Sequence, residues 1–333
     1  MERVMAAPYK ARFSGLGFFI PPKVLTNFDL EKMVETTDEW IRTRTGIRER
    51  HVAEKGQSSS DLGLEAAKAA LADAKLTPQD LDLIIVATIT PHMLFPSTAC
   101  IIQSKLGARC GAFDMAAACS GFPYAVSVAE SFIAAGIHKH ILVIGSEVLS
   151  GFIDWKDRST CVLFGDGAGA AVLSRSEDAK RGIIASYLGS DGTQADILKI
   201  PAGGSANPTT PDTVSQGLHY LKMEGSDVFK VAVRTMEEAV REVARRGGIT
   251  VEEINCLIPH QANSRILSAV GERLGMGPDK VYTNVEIYGN MSSASTAVAL
   301  CEAVQKGRIK SGDYVALVAF GGGLTWAATL IKW

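Results

Sequence analysis

The sequence has little of what marks a disulfide scaffold, a zinc protein or a membrane protein. Its 333 residues hold six cysteines: Cys100, Cys110, Cys119, Cys161, Cys256 and Cys301. None forms a C-x-x-C pair, and their spacings match no zinc signature. So few cysteines in so long a chain suggest free thiols in a reducing compartment, the cytoplasm. The first residues, "MERVMAAPYKARF", lack the continuous apolar stretch of a secretory signal. The longest apolar runs, such as "LIIVAT", fall far short of the roughly 20 residues of a membrane span. Charge of one sign is missing too. The formal net charge is -2 and the pI about 6.3, so no global basic field exists for nucleic acid or an anionic membrane. "FGDGAGA" has neither the lysine nor the spacing of a phosphate loop and reads as a turn.

What is present is an ordinary globular composition, 47% hydrophobic and 21% charged. The length suits two domains, or one large domain built from two halves. "LDLIIVATIT" has the pattern of a strand covered on both faces. Helical patterns precede it at Ser60–Ala74 and follow it at Ser97–Leu106. Further strands are "HILVIGSEV" and "GAGAAVLSRS". The alternation predicts an α/β architecture with helices over a buried sheet. The second half repeats the plan: "INCLIPHQAN" parallels "LIIVATITPH", and "YVALVAFGGG" parallels "ILVIGSEVLS". In this alignment Asn290 falls opposite Cys119. From Ile85 to Cys119 is 34 positions, and from Leu257 to Asn290 is 33. A repeat of this length is a duplication, not a solenoid, with halves at 8–175 and 176–333. The segment Lys199–Gln216 reads as a loop. "DEWIRTRTGIRER", Asp38–Arg50, carries four arginines and a tryptophan and by itself reads as an amphipathic surface helix.

Cys119 lies where an apolar run turns into a helix, with Gly136 as the expected C-cap. A helix N-terminus stabilises a thiolate, the reactive form of cysteine. Burial as a small core residue is the alternative, and it is the reading for the other five cysteines. A nucleophile needs a partner. His260 opens a polar turn after a buried strand, and His92 holds the similar place in the first half. His51, His138, His140 and His219 lie in charged or loop surroundings and are expected to be solvated. Asn290 is flanked by glycine and small polar residues, which also suits a cap or turn. "FGGGLTW" allows close backbone approach and can turn N–H groups toward an oxyanion.

Together "TNFDLEKMVETTDEWIRTRTGIRERH", "AAACSGF", "FGDGAGAAVL", "PHQAN", "GNMSSAS" and "FGGGLTW" resemble the β-ketoacyl-acyl-carrier-protein synthase III family over nearly the whole chain. The resemblance implies the thiolase fold, an α/β fold of two duplicated halves in five αβαβα layers. It implies an acyltransferase that condenses a primer acyl-CoA with malonyl-acyl-carrier protein, without metal or redox cofactor, in a cytoplasmic homodimer. The implied catalytic triad is Cys119, His260 and Asn290, with the oxyanion hole at the N–H groups of Cys119 and Gly322. Implied CoA contacts are Thr36, Trp40, Arg44, Arg158, Gly225, Phe229 and Asn263, with the adenine held between Trp40 and Arg158. Lys230, Arg265 and Arg273 match or adjoin carrier-protein docking positions, and Arg241, Arg245 and Arg246 add basic charge. Glu272 departs from relatives that carry lysine there, which alters the outline of the patch. Phe95 matches a residue that closes the partner's acyl pocket.

Other readings are weaker. Elongating relatives use Cys-His-His, whereas the third position here is Asn290. Degradative thiolases need a second catalytic cysteine near the C-terminus, and none stands in "FGGGLTW". A papain-like hydrolase lacks its local signature around Cys119. A non-catalytic carrier-binding protein would not need the complete triad. A starter-unit enzyme of a polyketide pathway would share every motif and stays open.

Overall fold

The computed structural model describes residues 9–176, 178 and 180–333. The two large sheets use nine strands. They are β1 (Lys10–Phe19), β2 (Leu83–Ala87), β3 (Gly111–Met115), β4 (His140–Glu147), β5 (Gly167–Ser176), β6 (Gly182–Ser190), β7 (Cys256–Pro259), β8 (Tyr314–Gly321) and β9 (Thr325–Lys332). The first sheet runs β1-β5-β4-β2-β3, with β2 parallel to β3 and β4 and the other pairs antiparallel. The second runs β6-β9-β8-β7, with one parallel pair, β7 with β8, at the end of an antiparallel run. A lone parallel bridge from Leu257 to Val281 stands where β3 stands in the first sheet. The same strand order occurs twice, so the duplication seen in the sequence is a duplication of topology.

The longer helices are α1 (Asp38–Thr45), α2 (Ser59–Ala74), α3 (Thr98–Leu106), α4 (Gly121–Ala134), α5 (Gly225–Gly247), α6 (Ser264–Leu274) and α7 (Ser293–Gln305). They cover both faces of both sheets, which is why the strands are hydrophobic without alternation. Ile84 and Val86 point outward to Leu62 and Ala66 of α2. Ile85 and Ala87 point inward to Phe122 and Ala125 of α4. In the second sheet Leu257 and Val318 face Val240 of α5 and Val270 of α6. Ile258 and Leu317 share the inner core with Ala299 of α7. The layers are therefore α2/α3, sheet, α4/α7, sheet, α5/α6: the five-layered αβαβα thiolase fold.

The middle layer has almost no free volume. Every residue from Ser293 to Ala303 is buried. A Cβ on Gly145 of β4 would lie 2.6 Å from the Ser293 carbonyl oxygen, and one on Gly169 of β5 would lie 2.5 Å from Ala297 Cβ. These glycines let α7 sit directly on the first sheet.

Several local expectations are corrected. Lys199–Gln216 is not all loop: Pro211–Ser215 forms a short helix behind Thr210, whose hydroxyl accepts from the Thr213 N–H at 3.2 Å. Lys199 pairs with Lys222 in a two-residue ribbon. Cys100 is exposed and Cys110 half-buried, so neither is a core residue. His51, His138, His140 and His219 are half-buried rather than solvated. Neighbouring groups take them in: His51 Nδ1 lies 2.6 Å from the Pro21 carbonyl oxygen, and His219 packs on Tyr220. Arg50 belongs to no surface helix. It is wholly buried and donates to the carbonyls of Leu25 and Val162 and to Asn27 Oδ1. Among the described residues no helix is long and apolar enough to cross a membrane.

Gly169→Val drives a branched side chain into Ala297 and the Val298 N–H. It should destabilise the protein by about 3 kcal/mol or more, measured as a lower midpoint in guanidinium unfolding.

Candidate active site

The two halves place equivalent corners at one buried spot. In the first half, the chain leaves β3, makes a tight 3-10 turn over Ala118–Ser120 and enters α4. Ala118 adopts φ +46°, a left-handed conformation that costs a non-glycine residue energy. This turn puts Cys119 at the positive end of α4, 8% exposed. In the second half, the chain from Tyr288 through Asn290 enters α7. Asn290 is clamped by its backbone: its N–H donates to the Leu163 carbonyl at 2.9 Å and its carbonyl accepts from the Gly165 N–H at 3.0 Å. Its Oδ1 accepts from the Ser292 N–H at 2.9 Å. The amide is thereby oriented, with Nδ2 left as a donor. His260 follows β7, fixed by its N–H to the Val318 carbonyl at 2.7 Å.

Cys119, His260, Asn290 and Gly322 all line one cavity of about 520 Å³. So do Trp40, Arg44, Gly225, Phe229 and Asn263. The lining grades from exposed Arg44 and Gly225 to buried Cys119, His260 and Asn290. The cavity is thus a tunnel from the surface to the three polar side chains, and its walls are mainly apolar, with Ile89, Leu149, Leu198 and Met223 among them.

At the mouth, Thr37 caps α1 by accepting from the Trp40 N–H at 3.1 Å. Arg44 and Arg158 each lie over the Trp40 ring, 4.8 and 5.1 Å from its centroid. Arg158 also donates to the Glu35 carbonyl at 2.9 Å. Arg158 and Trp40 are therefore in direct contact, not held apart as a ready-made slot. Thr36 carries a buried hydroxyl without a partner beside this group. Asn263 caps α6 through the Arg265 N–H at 2.8 Å and donates to the Arg44 carbonyl at 3.3 Å, tying the two mouth helices together. Near it Arg265 stacks on Phe229 at 5.5 Å. Lys230 pairs with Asp227, and Arg273 with Glu237. Phe95 lies outside the cavity and is 85% exposed beside equally exposed Leu94. His92 also lies outside it, against the hydroxyls of Ser58 and Ser60.

The electrostatics differ from the sequence-based expectation at Cys119. Burial pushes the thiol up to about 12, the nearby Glu147 carboxyl acts in the same sense, and the Ser292 hydroxyl opposes them. The helix terminus does not outweigh dehydration, so the resting group is a thiol. Burial also drives His260 down to about 3, so its imidazole is neutral at physiological pH, and its Nδ1 has no partner. The site at rest carries no charge on any of the three.

Three further residues were not singled out from sequence. Gly321, inside the glycine turn already noted, packs against the cysteine turn: a Cβ there would lie 2.5 Å from the Cys119 nitrogen. Glu147 is buried behind Cys119. It accepts from the hydroxyls of Thr88 and Thr90 and the N–H groups of Ile89 and Thr90, and it contacts Ser293 Oγ at 2.8 Å. Burial raises its pKa. Its only sequence signal is an acid at the end of a buried strand. Ser292 lines the cavity, is 1% exposed, and adopts φ +47°. Nothing in "NMSSAS" distinguishes it from its neighbours. Among the described residues no cluster of three His, Cys, Asp or Glu side chains is placed to hold a metal ion.

Doubled sheets in five layers, with a buried cysteine at one corner and a histidine and asparagine at the other, define a thiolase-fold condensing enzyme. The comparisons refine this. Residues 113–192 match the family model for 3-oxoacyl-[acyl-carrier-protein] synthase III, and residues 244–333 match the model for its C-terminal part. The chain is 56% identical to a β-ketoacyl-[acyl-carrier-protein] synthase III of Caldanaerobacter subterraneus subsp. tengcongensis, over 99% of each chain. It superposes on the Aquifex aeolicus synthase III with a TM-score of 0.90 and 48% identity, over 97% of this chain and 100% of that one. A priming β-ketosynthase of the R1128 polyketide pathway superposes equally well, TM-score 0.90, at 35% identity over 98% and 97% of the two chains. The chain belongs to the β-ketoacyl-acyl-carrier-protein synthase III family of condensing acyltransferases.

Gly321→Ala should slow release of CoA from acyl-CoA about 10²-fold or more, read by stopped flow, because its methyl would displace the Cys119 backbone N–H that faces the cavity. The His260 pKa sets a stability window. Its folded value, about 3, lies below the ordinary 6.5. The stability tied to its neutral form is complete above about 6.5 and is lost as pH falls toward about 3. Urea-unfolding free energy should drop across that range, and drop less in His260→Asn.

Proposed function

We propose that this enzyme starts fatty-acid synthesis. It joins a primer acyl-CoA, acetyl-CoA in the first instance, to malonyl-acyl-carrier protein, giving 3-oxoacyl-acyl-carrier protein, CoA and carbon dioxide. The observation that carries this is the single tunnel with Cys119, His260 and Asn290 at its buried end and Trp40 and Arg44 at its mouth.

In the first half-reaction the Cys119 sulfur attacks the acyl-CoA carbonyl. A carbon–sulfur bond forms to Cys119, the one to CoA breaks, and the thiol proton leaves on the CoA sulfur. The tetrahedral oxyanion is met by the N–H groups of Cys119 and Gly322, each worth about 3–4 kcal/mol of barrier. In the second, malonyl-acyl-carrier protein enters and loses carbon dioxide. Negative charge grows on its thioester oxygen, where His260 and Asn290 Nδ2 donate. Asparagine cannot titrate, and His260 is already neutral, so both donate across physiological pH. The enolate carbon then attacks the Cys119 thioester, the carbon–sulfur bond to Cys119 breaks, and the sulfur leaves as a thiolate that takes one proton from solvent to restore the resting thiol. In the first half-reaction a transient anion forms from neutral groups, in the second the carboxylate charge moves to the thioester oxygen, and in both it is met by N–H donors with no change of oxidation state that would call for a redox cofactor.

Trp40, Arg158, Thr36 and Arg44 suit a nucleotide at the mouth, and Gly225, Phe229 and Asn263 suit the pantetheine arm. The exposed cations Lys230, Arg265 and Arg273 suit an acidic carrier protein. Exposed Leu94 and Phe95 suit burial against a second copy, and free thiols suit the cytoplasm. A second reading is a starter-unit condensing enzyme of a polyketide pathway, favoured by the likeness to the R1128 priming synthase.

Cys119→Ser should abolish acyl-enzyme formation from a panel of acetyl-, isobutyryl-, hexanoyl- and octanoyl-CoA, followed by intact mass. An adduct mapped to another residue would remove Cys119 as nucleophile. Asn290→Ala should slow malonyl decarboxylation by about 10² or more and leave Cys119 acylation nearly unchanged. Equal loss of both half-reactions would contradict its role.

A further inference from the structure

Ser292 is strained and buried, its backbone N–H holds Asn290 Oδ1, and its hydroxyl is left over. At φ +47°, ψ -123° it occupies a backbone region that glycine fills without cost. Its neighbours do not demand a side chain there. It is the N-cap residue of α7, yet its hydroxyl makes no cap hydrogen bond. Its Oγ has no partner among the described residues, although the residue is 1% exposed. A buried hydroxyl left without a partner is a net cost to folding. Strain and an orphaned hydroxyl together mark a group held for use. Both bear on the same cavity: Ser292 lines it together with Cys119. Only three described non-glycine residues have positive φ, and two of them, Ala118 and Ser292, sit at the two active-site corners.

We propose that Ser292 is a further catalytic residue: its hydroxyl donates to the Cys119 sulfur when that sulfur is anionic. This rests on Cys119 being the nucleophile. The hydroxyl keeps its own proton throughout. In acylation the Cys119 proton still ends on CoA, and Ser292 holds the charge that sulfur gains as it loses that proton. In condensation the sulfur departs as a thiolate, and the same hydroxyl receives it. The resting thiol already responds, since Ser292 opposes the effects that raise its pKa. No hydrogen bond of normal geometry joins the two at rest, yet Ser292 already acts on the thiol in the sense that a hydrogen bond to its sulfur would. The titratable groups facing this sulfur are Glu147, whose charge works against the thiolate, and neutral His260.

The test compares the full-length protein with Ser292→Ala and Ser292→Gly. Both lack the hydroxyl, and the glycine also removes the backbone strain. Alkylation of Cys119 by iodoacetamide, mapped by peptide mass across about pH 6 to 10, reads thiolate formation directly. Both variants should alkylate and acylate about tenfold more slowly, with profiles displaced upward by roughly one pH unit. Ser292→Gly should at the same time withstand more denaturant than Ser292→Ala. Wild-type alkylation and acylation rates in Ser292→Gly would overturn the proposal and leave Ser292 a turn residue only. Acylation of wild-type protein at a residue other than Cys119 would instead remove the nucleophile assignment on which it rests.

Discussion

The close packing of α7 against the first sheet is the constraint on which the rest depends. Gly145 and Gly169 have no room for a Cβ because Ser293 and Ala297 already occupy it. That contact joins the two halves through backbone and small side chains, which leave little freedom to slide. Asn290 lies three residues before α7, and Cys119 lies two before α4, in the same layer. Fixing the helices therefore fixes the corners. Gly321 adds a second clamp, bringing the end of β8 from one half against the cysteine turn of the other. Neither half contains a complete site by itself.

The site made by this packing is dry, and dryness sets its chemistry. Removing water makes every charge expensive. Cys119 stays a thiol, His260 stays neutral, and Asn290 has no charge to lose. The same low polarity strengthens fixed donors aimed at charge that develops during reaction. Glu147 feels the same effect, an acid buried behind the cysteine whose pKa burial raises although two threonines and the 89–90 backbone donate to it. Its donors tie the loop that carries Ile89 to the wall of the tunnel, and its contact with Ser293 ties that loop to α7.

Much of the fold was legible because burial on two faces leaves a plain mark. "LIIVAT" and "YVALVAF" are apolar without alternation, and only a covered strand tolerates that. The repeat was legible for the same reason, and it placed Asn290 opposite Cys119 before any contact was known. The charge state of Cys119 was not. A helix terminus can be read from local sequence, whereas dehydration depends on what the distant 260s and 290s bring over it. Half-buried His51 and His140 and wholly buried Arg50 were missed on similar grounds, because their partners come from remote segments. Ser292 was hidden among four small polar residues, and only its backbone angle sets it apart.

Arg44 and Arg158 cover Trp40 at 4.8 and 5.1 Å. The mouth of the tunnel is therefore already filled by its own cations. A flat aromatic guest that replaces a guanidinium on the indole gains the difference between two stacking energies and not the whole of one. A guest that brings negative charge recovers more, because the displaced arginine can turn to meet it. A stack of this kind would weigh ring and charge together, and a bare flexible arm would leave it in place.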